Sequence, residues 1–463
     1  MGLIPVYTGQ VAEMMAVGTH VDAVAEALGS TDIDTTSVLD FIVHGTVTYP
    51  YTCYRSLRQL APASVHTWTW PRYDKPSVEI YWEPREQPDF DLTSEQAGEE
   101  LRNSLQEFVS GATEGCEEVG VFLSGGEDSR LVASLVPPGP RKLGYVFLEG
   151  RNREGSVAQK VADRLGIDLT FGLRRTTHYL DCLEPVSRLI GLGAEAAHSH
   201  TYGFHEEFNL GALPAVLGGY FSDVLIKGCD IRQFPPSGRM PIFPEVRIPG
   251  RRRQKVLAES AFPNEMAQGV LARREAHYDY LRTIRPRSAD EWSTFWPASM
   301  DMGNPNIAIN RRLFASFEPF TASGVIRLAA AVPQSWKLNR RLFWAAAHPK
   351  LARTKDIAHA DGSFPHLPWH INLLRRGPTW LSRTIRRKLS RDTANEGPWN
   401  VWGRDLASPE WRELVRRVTR AGRYISPALT PERINDLLEG TELKEIQRFN
   451  LLQVLQHLGR LKG

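Results

Sequence analysis

Residues 119–130 read VGVFLSGGEDSR, an apolar run that stops at Ser124 and continues into two glycines, two acids, a serine and an arginine. A short apolar run bounded by a glycine pair reads as a buried strand, and SRLVASLV (129–136) behind it reads as a helix. The pattern then repeats. KLGYVFL (142–148) is a second strand, EGSVAQKVADRLG (154–166) a helix, IDLTFGL (167–173) a third strand, and LPAVLGG (213–219) a further strand after two helical stretches. Strands alternating with helices across short loops run parallel with right-handed crossovers, so the predicted class is α/β with a doubly wound parallel sheet.

Ligands of such a sheet sit beyond the carboxyl ends of its strands, where residues 124–130 fall. A helix opening there presents unpaired N–H groups and a dipole that favours an anion. Gly125 and Gly126 allow backbone to approach phosphate closely, and Ser124 and Ser129 add hydroxyl donors. Asp128 would repel phosphate unless a cation stood between them, which points to Mg²⁺. The spacing does not fit G-x-G-x-x-G, and no Gly-Lys-Ser/Thr follows, so neither a dinucleotide fingerprint nor a lysine P-loop applies.

The chain around this loop has 463 residues, enough for two or three domains, and its 42% hydrophobic and 24% charged residues suit an ordinary globular protein. A net charge of +3 gives no global reason for nucleic acid or an anionic membrane. Residues 375–391 are the exception, with seven basic residues and no acid; they read as a solvated helix face, with docking of an acidic or peptidic partner as the alternative. Cys53, Cys116, Cys182 and Cys229 are scattered, which disfavours a zinc ribbon or disulfide scaffold and suits a reducing compartment. The first residues have no basic segment followed by an apolar core, Val6 stands where myristoylation wants Ser or Thr, and no apolar run is long enough to span a membrane. A cytoplasmic location is expected.

Residues 3–84 are short and strand-like, closed by PREQPDFDLTSEQ (84–96). A proline-rich surface excursion is expected over residues 235–255, and beyond Asn264 the period is helical. TPERINDLLEG shows its own ends, with Thr430 as N-cap, Pro431 at the first helical position and Gly440 past the last.

The loop SGGEDS resembles the S-G-G-x-D-S pyrophosphate loop of the ATP pyrophosphatases (adenine nucleotide alpha hydrolase-like), which split ATP between its α and β phosphates and form an acyl-adenylate. Its surroundings are similar to the synthetase domain of the asparagine synthetase class: the helix 154–166, the glycine-rich strand end VLGGYFSDVLIKG (216–228), and FEPFTASGVIRLAAAVPQSWKLNRRLF (317–343). The resemblance covers about residues 91–365. It implies an α/β core over about 91–230, a mainly helical part over about 264–463, and a synthetase domain over 91–463. Residues 34–70 and YWEP (81–84) look like the last part of that class's glutaminase domain, so 1–90 reads as a truncated, β-rich remnant. The full domain opens with a cysteine nucleophile where this chain reads Met-Gly-Leu, so glutamine hydrolysis is not expected. The other thiols read as core.

By that resemblance, ATP and Mg²⁺ are the cofactors. Ser124, Gly125, Gly126, Asp128, Ser129 and Gly219 would hold the phosphates, the strand backbone at Val146 the adenine, and Asp128 and Asp223 the metal. Tyr220 stands where β-lactam-forming relatives place a tyrosine that works with a glutamate as base, and Glu318 is the candidate partner. Lys227, Lys337 and Lys355 are candidates for the cation that stabilises the oxyanion, with Lys355 favoured by its position in RTKDIAHADGS. The expected activity is an ATP-dependent, AMP- and pyrophosphate-forming amide synthetase in specialised metabolite or peptide biosynthesis, similar to the β-lactam synthetases and lasso-peptide cyclases. Its partners would be carboxylate and amine substrates, small molecules or peptides, and a second copy in a homodimer, without nucleic acid or membrane. Two alternatives stand beside it: an ammonia-dependent asparagine-forming enzyme, and a non-catalytic ATP-binding partner, favoured by Asp223-Val224 where the class has Asp-Glu.

Other patterns carry less. His198, His200 and His205 lie in a segment read as helical, where residues two apart do not share a face. Pro368 breaks the helix that His366 and His370 would need to ligate together. Trp336 and Trp344 are candidates to line an acceptor site.

Overall fold

The computed structural model describes residues 2–69, 72–87, 90–234, 243–248, 261–297, 303–389 and 401–462. Most of the proline-rich excursion lies outside these. So do most side chains of the basic stretch 375–391, whose backbone is helical through Leu389.

The first strands, β1 (Tyr7–Val11) and β2 (Met14–Gly18), form an antiparallel pair, followed by helices α1 (Val21–Ala27) and α2 (Thr35–His44). Strand β3 (Leu57–Gln59) completes a sheet of order β2-β1-β3, and β4 (Ser64–Thr69) with β5 (Arg72–Ile80) makes a separate hairpin. Helix α3 (Ser94–Ala112) starts with a capping box, Thr93 with Gln96, inside the stretch expected to be a linker.

The main sheet then forms from β6 (Glu118–Phe122), β7 (Arg141–Leu148), β8 (Asp168–Leu173), β9 (Val216–Leu217) and β10 (Ser316–Phe317). All pairings are parallel, in the order β10-β9-β6-β7-β8. Helix α4 (Glu127–Leu135) follows β6. Helix α5 (Arg153–Leu165) follows β7, capped by Asn152 and ended by Gly166 at φ +67°, and α6 (His178–Ile190) follows β8. The doubly wound sheet is therefore as expected, but β9 has two residues rather than seven, and β10 has no counterpart among the expected strands. Chain order jumps at β6, with β7 on one side and β9 on the other, which makes the carboxyl end of β6 the switch point where open parallel sheets leave a crevice for ligands.

Two large buried clusters hold the molecule. One packs Val119, Val121, Leu123 and Leu217 of the sheet against α3, α4, α5 and the helix Arg341–Ala347. The other joins Leu39, Phe41 and Leu57 to Phe449, Leu452 and Leu455 of the last helix, Glu445–Lys462, all at 0% exposure. Residues before 90 thus share a core with the C-terminal helices. Arg273 and Arg274 on the helix Asn264–Ile284 reinforce that junction, each 2.6 Å from a carboxylate of α2 or its cap, Asp34 and Asp40. Burial alone would raise Asp40, but Arg274, His44 and Thr48 outweigh it and bring the carboxyl down to about 2. At the C-terminal helix Pro431–Glu439, Thr430 accepts from the Arg433 N–H as its sequence implied. Among the described residues no helix is long and apolar enough to cross a membrane.

Candidate active site

The loop after β6 is built by close approach. Gly125 has φ +78°, and a Cβ there would lie 2.8 Å from the backbone nitrogen of Ala158, so α5 packs directly on the loop. Gly126 caps α4 with no side-chain acceptor, which leaves the first-turn N–H groups of the helix available to an anion. The hydroxyls of Ser124 and Ser129 lie 3.3 Å apart; the Gly126 N–H donates to the first, and the second donates to the Gly126 carbonyl.

Arg130, which no motif in the sequence marks, is fully buried. Its Nε donates to the Gly125 carbonyl at 2.8 Å and its Nη1 to the Ile357 carbonyl at 2.7 Å. The guanidinium thus staples the loop to residues 357–359, and the His359 ring comes close to Gly126. Burial pulls Arg130 down to about 10, which still leaves it charged at neutral pH. Replacing Arg130 with Met strands both carbonyls. Stability in a urea titration is expected to fall by about 2–4 kcal/mol.

Strands β9 and β10 end side by side, which brings together residues almost a hundred positions apart. Tyr220 follows β9 by two glycines, and Glu318 follows β10 directly. The Tyr220 N–H donates to Glu318 Oε2 at 2.9 Å, while Glu318 Oε1 is buried with no hydrogen-bond partner. Burial lifts the Glu318 carboxyl to about 8, against the pull of the Tyr220 N–H and of Arg311. The Tyr220 phenol is raised by burial first and by Glu318 second, so it stays neutral. Gly218 makes this possible, because any Cβ there would collide with the Glu318 carboxylate. Gly218→Ala is expected to expel Glu318 from its niche, read as loss of activity with little change in secondary structure by circular dichroism.

Beyond Tyr220 the backbone turns sharply. Phe221 sits at φ +70°, a strained value for an aromatic residue, and Ser222–Ile226 wind as a π-helical turn. This turn presents Asp223 and, one turn on, Lys227. The Lys227 ammonium lies 2.7 Å from Asp223 Oδ1, 2.8 Å from Asp128 Oδ2 and 3.0 Å from Glu127 Oε1. Burial opposes its charge, but the three carboxylates outweigh burial and keep it protonated. Glu127 also pairs with Arg340 at 3.0 Å, from a left-handed backbone position at φ +58°. Burial would raise Glu127, yet Arg340 and Lys227 bring it down to about 2. Asp128 is shifted upward, by burial first, with Lys227 pulling the other way and Asp223 and Glu127 adding to the rise. Its Oδ1 is buried without a partner. A Cβ on Gly219 would lie 3.2 Å from the Asp128 Cβ, so the second strand end abuts the first loop.

This crevice lies within residues 100–359, which match the family described as Asparagine synthase and make up more than half of the chain. The chain belongs to the asparagine synthase family. No curated protein matches it. Members of the asparagine synthase family are ATP-dependent ligases that form carbon–nitrogen bonds, generally with Mg²⁺.

The residues fit a divalent ion brought by nucleotide. Among the described residues no group of three or more His, Cys, Asp or Glu side chains forms a metal cage. What exists is the orphaned oxygen of Asp128 beside Asp223, and Mg²⁺ in phosphate-binding sites takes one or two carboxylates and completes its shell with phosphates and water.

The other residues singled out from sequence fall as follows. Val146 is buried inside the β7–β8 ladder, opposite Phe171. Lys355 is exposed just past the turn Lys350–Thr354, and Lys337 is buried in an ion pair with Glu291. Lys227 is therefore the candidate lysine that the fold brings to the carboxylates of the loop. Neither Lys227 nor Arg340 stands out in the sequence as a partner of Glu127, because Lys227 reaches it through the pairing of β6 with β9 and Arg340 comes from a turn far along the chain. Trp336 packs edge-on against Phe90, and Trp344 stacks on His348. The segment read as one helix around the three histidines is instead a 3₁₀ turn, Ala196–His198, then a separate short helix, Phe204–Glu207. His198 pairs with Glu195 and His200 with the Tyr179 hydroxyl. Cys53 and Cys182 are buried, and none of the four cysteines is in a disulfide among the described residues.

Proposed function

We propose that this asparagine synthase family member is an AMP-forming amide synthetase that adenylates a substrate carboxylate and transfers the acyl group to an amine. The observation that carries this reading is the meeting of two devices in one crevice. An uncapped helix start with an acid and two hydroxyls lies at the end of β6, and a buried carboxyl with a raised pKa lies at the ends of β9 and β10. The first suits a triphosphate, and the second suits proton removal from an amine.

On this account the substrate carboxylate attacks the α-phosphorus, the bond to the β-phosphate breaks, and pyrophosphate leaves against the N–H groups of residues 127–129. Ser124 and Ser129 exchange their mutual contact for phosphate oxygens. Asp128 and Asp223 would hold Mg²⁺, which supplies charge neutralisation on the phosphates when bound. Arg340, rather than the exposed Lys355, lies close enough to the loop to balance charge on departing phosphate. The amine then attacks the acyl carbon, its proton passes to Glu318 with Tyr220 positioned beside it, and AMP leaves.

The amine is one carried by a substrate, with ring closure as the leading version, in specialised metabolite or peptide biosynthesis. The Tyr220–Glu318 juxtaposition supports this over free ammonia, because Tyr220 stands where the β-lactam-forming relatives place the tyrosine of their base pair and the fold sets Glu318 beside it. The site suits a cytoplasmic enzyme with reduced thiols and a nucleotide supply. Carboxylate-dependent exchange of labelled pyrophosphate into ATP tests the first half-reaction. Asparagine formed from aspartate and ammonium salts would instead support the ammonia-dependent reading.

A further inference from the structure

We propose that Lys227 is a built-in counter-cation of the metal carboxylates, and that it makes divalent-metal binding at Asp128 and Asp223 depend on nucleotide. This rests on the reading of those two aspartates as the metal-holding pair, and adds a control on when they do so.

The ammonium has three protons, and three carboxylate oxygens stand within 2.7–3.0 Å of it. Its donor capacity is therefore filled, and no proton is left for a phosphate while the cluster is intact. The side chain is 6% exposed and passes over the Phe343 ring at 4.9 Å, so it is packed rather than loosely draped. Its backbone is fixed too: the Lys227 N–H donates to the Ser222 carbonyl at 3.0 Å, closing the π turn.

Each aspartate spends only one oxygen on the lysine. Asp128 uses Oδ2 and keeps a buried, unpartnered Oδ1, and Asp223 uses Oδ1 while its side chain stays 70% exposed. The remaining oxygens are the ones that would take a metal, with a fixed positive charge at hydrogen-bond distance from both carboxylates. Three carboxylates against Lys227 and Arg340 leave one net negative charge in the cluster. A bare dication gains little there, whereas one that arrives on a triphosphate brings its own anions. Lys227 is thus a positioning residue: it aims the free carboxylate oxygens and sets the order of binding.

The test uses the full chain with Mn²⁺ as probe, read by the loss of the free-ion electron paramagnetic resonance signal, with and without α,β-methylene-ATP and corrected by a protein-free titration of Mn²⁺ with the analogue, which itself complexes the ion. The wild type is expected to bind Mn²⁺ weakly alone and at least about tenfold more tightly with the analogue present. Lys227→Met should bind Mn²⁺ alone about tenfold more tightly than the wild type, and Lys227→Arg should behave like the wild type. Unchanged or weaker Mn²⁺ binding by Lys227→Met overturns the proposal. So does a wild type that binds Mn²⁺ equally well without nucleotide, an arm that can overturn the proposal even where Lys227→Met does not fold. Asp128→Asn separates this from the underlying reading: if it leaves Mn²⁺ binding with the analogue intact, the assignment of the metal carboxylates is what fails.

Discussion

Asp128→Asn is expected to lower AMP and pyrophosphate formation by about 10³-fold or more, with the melting temperature unchanged or slightly raised. On the proposed function, the rate loss follows from removing a charged oxygen where Mg²⁺ and phosphate would be held, an effect on the order of 4 kcal/mol in the barrier. The stability expectation follows from the cluster. Asp128 is held upward by burial, and Lys227 retains Glu127 and Asp223 as partners when Asp128 is neutral. A substitution that preserves shape therefore removes a strained charge without orphaning the lysine. Quenched turnover with chromatographic separation of AMP, beside a calorimetric melt, measures both.

Glu318→Gln should produce the opposite split between half-reactions. Glutamine keeps an oxygen to accept from the Tyr220 N–H, so the ends of β9 and β10 stay together. Carboxylate-dependent pyrophosphate exchange should persist, while amide formation falls by about 10²–10⁴-fold, the usual contribution of a positioned base. A carboxyl at about 8 is mostly protonated at neutral pH, so the amide-forming step should accelerate as pH rises and level off above about 8. The same shift acts on stability. Below the ordinary carboxyl range, folded and unfolded chains both hold the proton. From there to about 8 only the unfolded chain releases it, so stability falls across that window and flattens beyond it. Glu318→Gln should abolish both the rate rise and this slope.

Much of this site is legible in the amino-acid sequence, for a local reason. An apolar strand running into Gly-Gly-acid-acid-Ser declares its element and the helix after it within a dozen residues, and the helix ends at Gly166 and Thr430 are equally local. What the sequence hides depends on pairing over long distances. Ser316–Phe317 is too short to show a strand period, and only its pairing with β9 brings Glu318, named as the partner of Tyr220 by resemblance alone, within hydrogen-bond distance of it. Lys227 stands one helical turn after Asp223, an ordinary spacing for a surface ion pair. Only the adjacency of β6 and β9 turns it inward onto Glu127 and Asp128. Arg130 has the sequence signature of an exposed residue in a first helical turn, because its carbonyl acceptor at Ile357 lies 227 positions away. The N-terminal β piece is present as expected, but the reading misses α1, which packs on β1, β2 and β3, and α2, whose apolar face is completed by the last helix.

The central claim is that ATP is cut between its α and β phosphates at the loop of residues 124–130. Turnover of a substrate carrying ¹⁸O in its carboxylate tests it most directly. Transfer of the label to AMP is the result this account predicts; label found only in inorganic phosphate, with ADP as the nucleotide product, would contradict it.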